Sequence, residues 1–119
     1  MLNVGVFDDF KGARTLLLWG DKNGMAELHE GLTSLRDGAC NVFAVDADDI
    51  PLLVAATKGP PVVRATETGL RWDCPQDTLE LAVDLVEPLL DGTGHQYIDT
   101  EGTAVQVMIA RGEYPPSLR

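Results

Sequence analysis

Met25, Leu28, Leu32 and Leu35 recur at helical spacing, and 54 residues further on Leu79, Ala82, Val86 and Leu89 recur at the same spacing. Residues three and four apart share one face of an α-helix, so each set is a single apolar stripe. Each stripe is closed by Asp-Gly, at Asp37-Gly38 and at Asp91-Gly92. Glycine accepts the left-handed backbone that ends a helix without strain. Two matched amphipathic helices at a fixed offset constrain the chain strongly, because each must find an apolar surface of similar shape.

The flanking segments continue the match. Residues 2–8, Thr15 to Trp19, Asn41 to Val45 and Leu52 to Ala56 read as strands in the first half. Val62 to Glu67, Leu70 to Cys74, His95 to Asp99 and Ala104 to Ala110 read as strands in the second, with Thr68-Gly69 as a tight turn. With one deletion, Asp46 falls on Asp99, Leu52 on Val105 and Lys58 on Arg111; with one further gap, Trp19 falls on Trp72. Lys58-Gly59-Pro60-Pro61 breaks the chain near its midpoint. The reading is one α+β domain, 1–119, built from two ββαββ repeats at about 1–59 and 60–119.

A unit of this size makes only a marginal core, so the two are expected to share one. The arrangement expected is one antiparallel sheet with both helices on one face. Read from Thr15, the element order also resembles the topology of one domain of a sliding clamp. The second helix carries Glu80, Asp84, Glu87 and Asp91 without a base, unlike the basic helices that line a clamp. Asp21 or Asn23 can cap the first helix, and Asp77 with Glu80 resembles a capping box for the second. Pro88 is expected to loosen the last turn of that helix.

Charge narrows the partners. Nineteen acids against nine bases give a formal net charge of −10. Nucleic-acid backbones and anionic lipid surfaces are poor partners for such a chain, and a basic protein is a suitable one. Residues 60–119 carry more of the excess than residues 1–59, so a partner-binding face is expected on the second unit. No apolar run approaches the ~20 residues that span a bilayer. The start reaches Asp8-Asp9 with no basic segment, which argues against a secretory signal and for the cytoplasm. Cys40 and Cys74 are then expected as reduced, structural thiols.

Candidate sites follow from what the repeat does not duplicate. Asp46-Ala47-Asp48-Asp49 has a counterpart at Asp99 to Gly102, so both read as turns rather than cation loops. Trp19 and Trp72 read as aromatics at the edge of the core. His95, Tyr97 and Tyr114 have no polar-aromatic equals in the first half, and with Glu80, Asp84 and Glu87 they form the candidate binding set. No metal is expected, because neither His29 nor His95 has a partner at ligand spacing. His95 with Asp99 as orienter would be a general base, but i and i+4 on a strand lie ~13 Å apart. Gly92-Thr93-Gly94 follows a helix instead of opening one, the wrong polarity for a phosphate. No Gly-x-Ser-x-Gly occurs. These features point away from an enzyme and imply no cofactor.

The stretch His95-Gln96-Tyr97-Ile98-Asp99, followed by Val105-Gln106-Val107-Met108-Ile109, has a form His-x-aromatic-aliphatic-Asp and then a final strand. With Leu17-Leu18-Trp19-Gly20 and the first helix, it resembles small bacterial immunity proteins of polymorphic-toxin systems. The resemblance implies a protein that binds and blocks a toxin, often a basic nuclease, and the acidic charge would suit that by steering and complementarity. Two readings stand: a non-catalytic module that binds a basic protein, as an immunity or inhibitor protein does, or a small enzyme or ligand-binding domain with a cleft between the two repeats. A homodimer is compatible with either.

Overall fold

Asp21 starts the first helix as its composition suggests. In the computed structural model its side chain accepts from the Gly24 amide at 2.8 Å, and helix α1 runs Lys22–Arg36. Gly38 then adopts φ of 78°, the left-handed conformation expected after the last turn. Helix α2 runs Gln76–Asp91 but begins differently: Pro75 is the N-cap and no side chain caps it. Asp77 therefore sits inside the first turn, where its charge still favours the helix dipole, and the expected capping box is not made. Pro88 is accommodated within the helix, and the Gly92 amide still reaches the Pro88 carbonyl at 3.1 Å. All residues are described except 11, 12, 46–49, 101–104, 116 and 119, and the side chains of 9, 10 and 13. The Asp46–Asp49 turn and Glu101 thus lie outside the described residues.

Eight strands accompany the helices: β1 (Leu2–Phe10), β2 (Ala13–Gly20), β3 (Val42–Val45), β4 (Leu52–Ala56), β5 (Val62–Ala65), β6 (Leu70–Cys74), β7 (Gly94–Ile98) and β8 (Val105–Arg111). They form two four-stranded sheets, ordered β1-β2-β8-β7 and β3-β4-β6-β5. The central pair of each sheet, β2 with β8 and β4 with β6, is parallel, and the outer pairs are antiparallel. In place of the single antiparallel sheet read from the sequence, then, there are two mixed ones. The reason is the route of the chain. Each helix carries it from one sheet to the other, so each sheet takes one hairpin from residues 1–59 and one from residues 60–119. The helices pack on each other, and each touches strands of both sheets.

The main core lies between the two sheets and the two helices. Leu16 and Leu18 face it from the first sheet, Val54 and Trp72 from the second, and Met25, Leu28, Leu32, Leu79 and Val86 from the helices. Fully burying each such side chain contributes about 1.5–3 kcal/mol. A second, smaller cluster occupies the opposite face of the first sheet: Leu17, Trp19, Met108 and Ala110, covered by Phe7, Tyr114 and Leu118. The two tryptophans are both buried, but not equivalently. Trp19 opposes Ala110 in this outer cluster, while Trp72 opposes Val54 in the main core. Leu18 and Trp72 have similar settings. Each lies three positions before its helix cap, and each faces a core residue of the parallel neighbour, Ile109 or Val54. Trp19 and Trp72 thus differ in the face of the sheet they occupy, since neighbouring strand residues point to opposite faces.

Candidate functional site

The sequence-derived candidates fall into two groups, and the structure separates them. Glu80, Asp84 and Glu87 lie on the solvent side of α2, in one exposed stripe with Asp77 and Asp91. Helical spacing of three and four residues puts them there, because the alternate positions Leu79, Ala82, Val83, Val86 and Leu89 are buried. Leu81, 48% exposed, is the large apolar residue that flanks the stripe. The base nearest in influence is Arg36 of α1. Its guanidinium is held above its ordinary pKa chiefly by the hydrogen bond to Asp37, with Asp84 and Glu80 adding attraction from α2.

His95 and Tyr97 stand on the edge strand β7, opposite Ala110 and Met108, and so on the outer face of the first sheet. The alternate residue Ile98 is in the main core, on the side that α2 packs against. The two groups therefore occupy opposite sides of one sheet edge. The His95 and Tyr97 rings meet edge to face, 5.3 Å between centroids at 79°. The His95 Nδ1 lies 2.8 Å from the Glu113 Oε1. The acid beside this imidazole is thus Glu113, from the segment after β8, rather than Asp99. Tyr114 follows Glu113 and packs on the Leu17, Trp19, Met108 and Ala110 cluster. Its neighbour Pro115 accepts the Trp19 indole N–H at 2.9 Å. His95, Tyr97 and Tyr114 are thereby brought to one face, as part of the seam between the C-terminal segment and the sheet.

Three features of the surface were invisible in the sequence. Glu113 gave no signal, since only folding brings it back to β7. Asp73, half-buried on β6, binds two arginines, Arg71 at 2.6 Å and Arg64 at 3.4 Å. The paired guanidiniums place part of the scarce positive charge on the outer side of the second sheet, away from the α2 stripe. Arg14 of β2 lines a cleft between the sheets, with its Nε 3.2 Å from the Asp8 Oδ1.

The two cysteines differ in setting, Cys40 being half-buried. Cys74 is buried in the main core, and burial, reinforced by the charge on Asp73, pushes its thiol far above the ordinary value. It stays protonated and is a poor nucleophile. Among the described residues, no group of three or more His, Cys, Asp and Glu side chains is disposed to hold a metal ion, and no helix is long and apolar enough to cross a membrane. The chain matches no family model, no curated protein and no solved structure.

Proposed function

We propose that this protein is a non-catalytic binding module that recognises a basic protein through the exposed face of α2, in the manner of an inhibitor or immunity protein. The observation that carries the reading is the composition of that face. Asp77, Glu80, Asp84, Glu87 and Asp91 are all exposed, Leu81 sits beside them, and the helix holds no base. An apolar anchor beside a row of one sign of charge suits association: the charge steers and selects, and the apolar contact slows release. Isolated exposed carboxylates would be plain solubility. The exposed residues of α1 are mixed: Lys22, Asn23, Ala26, Glu27 and Glu30.

The finer architecture belongs to the same proposal. The chain is an internal duplication of a ββαββ unit, with Asp21 matched to Pro75 and Leu18 to Trp72. The equal element order of the two halves and the corresponding orders of the two sheets support it. A duplicated scaffold frees one copy of a surface to diverge, and α2 is the helix without a base.

The test is binding of a basic nuclease from the same genome, measured by calorimetry against salt. The wild-type protein is expected to bind with an affinity that falls steeply as salt rises, because exposed charges are screened. The variant Glu80→Lys/Asp84→Lys/Glu87→Lys is expected to bind at least ten-fold more weakly with unchanged thermal stability. Equal binding by the triple variant would sink the assignment of this face.

A further inference from the structure

Between the two sheets lies a cleft of about 300 Å³. Val6 and Val105 form one wall, from the first sheet; Val63, Ala65 and Leu70 form the other, from the second. The helices contribute nothing to its lining. Such a volume and such apolar walls are in the range that small organic ligands occupy, ~300–1,000 Å³.

One charged group distinguishes the chemistry. Arg14 lines the cleft on the inner side of β2. Its Nε faces Asp8 at 3.2 Å, and no partner of its two terminal amino groups is found among the described residues. Arg64 also borders the cleft, but its guanidinium is directed to Asp73, at 3.4 Å. A guanidinium carries five donors in a planar fork, so a carboxylate can engage the terminal pair while Asp8 holds the Nε side. In a chain of net charge −10 with nine bases, Arg14 is one of the two bases that line this cleft.

We infer that this cleft binds a small amphiphilic carboxylate, its alkyl or aryl body against Val6, Val63, Leu70 and Val105 and its carboxylate on Arg14. Polyanions such as nucleotides do not suit it, because of its two arginines Arg64 is directed to Asp73 and only Arg14 is left to meet an anion over the apolar walls. Organic cations would meet Arg14 directly. The inference is independent of the role given to α2.

The two tryptophans supply the measurement. Trp72 pairs with Val63 across the strands and is two residues from Leu70, and its buried indole N–H has no partner among the described residues. Trp19 lies on the outer face of the other sheet, bonded to Pro115. Nitrogen-labelled protein is titrated with octanoate, 1-octanol and octylammonium and followed by NMR. Saturable movement of the Trp72 indole signal by octanoate, with the Trp19 signal still, is expected. Octanol and octylammonium are expected to bind at least ten-fold more weakly, and Arg14→Gln to bring octanoate down to the level of octanol. The inference is overturned if octanoate produces no saturable shift, if both indole signals move together, if octanol binds as tightly, or if Arg14→Gln changes nothing. Should Arg14→Gln fail to fold, the comparison of octanoate with octanol on the wild-type protein decides alone.

Discussion

The Trp19 indole donates to the Pro115 carbonyl at 2.9 Å, across 96 positions of sequence, and so fastens the C-terminal segment to the outer face of the first sheet. Trp72, equally buried, holds its N–H in the main core without a partner among the described residues. The same residue type is thus a clasp in one place and core filling in the other. Trp19→Phe is expected to lose about 1 kcal/mol for the bond, beyond what the smaller ring costs. It should also make the segment after Arg111 the first site of limited proteolysis. Trp72→Phe removes an unpaired donor, so it should cost packing alone and leave the cleavage pattern as it was. Equal release of the C-terminal segment in both variants would contradict this division.

Gly31 lies inside α1, where glycine weakens a helix by roughly 0.5–1 kcal/mol relative to alanine. The structure gives the compensation: a methyl group at Gly31 would come within 2.5 Å of the Phe43 ring. Gly31→Ala is therefore expected to destabilise the protein by about 1–3 kcal/mol despite its better helix propensity. In the background Phe43→Leu the same substitution should become neutral or stabilising. Denaturant unfolding of the two single variants and the double variant measures the coupling, and simple additivity would refute the contact.

Asp21 joins the start of α1 to the start of the chain. It accepts from the Met1 ammonium at 2.5 Å and from the Gly24 amide at 2.8 Å, and these two bonds, the ammonium first, hold its carboxyl below the ordinary value of 3.8. A depressed carboxyl pKa stabilises the fold above the unfolded pKa and loses that contribution as pH falls through the folded value. Asp21→Ala is expected to cost about 1 kcal/mol near neutral pH, as loss of an N-cap does. The gap between wild type and variant should stay constant from pH 7 to pH 5 and close below about pH 3.8. A gap that persists at pH 2 would show that the carboxylate charge is not its source.

Much of the fold is legible locally. The spacing of Met25, Leu28, Leu32 and Leu35 and its echo at Leu79 to Leu89 mark both helices, and all of these residues are buried. Asp21 and Gly38 mark the two ends of the first helix by the conformations their side chains allow. The start of α2 is misread because Asp77 has the right residue type at the wrong place, one position inside a helix that Pro75 already begins. Of the site, the exposure of Glu80, Asp84 and Glu87 follows from helical period, and the shared face of His95 and Tyr97 from the period of two along a strand. Glu113 and Arg14 carry no such signal, since each acquires its setting only from segments distant in sequence.

What the sequence determined by itself is therefore the inventory: two helices, the strands around them, the turns and the acidic balance. These depend on periodicity and backbone preference, which act over a few residues. The tertiary structure decided how the strands associate. Leu16, Leu17, Leu18 and Trp19 are apolar on both sides of β2, so their pattern cannot say which face meets the helices and which meets the C-terminal segment. Nor can it say that β2 lies parallel to β8, a pairing made only because each helix carries the chain from one sheet to the other. Strand pairing and core packing are cooperative over the whole chain, and they alone set the two tryptophans on different faces and left the cleft beside Arg14.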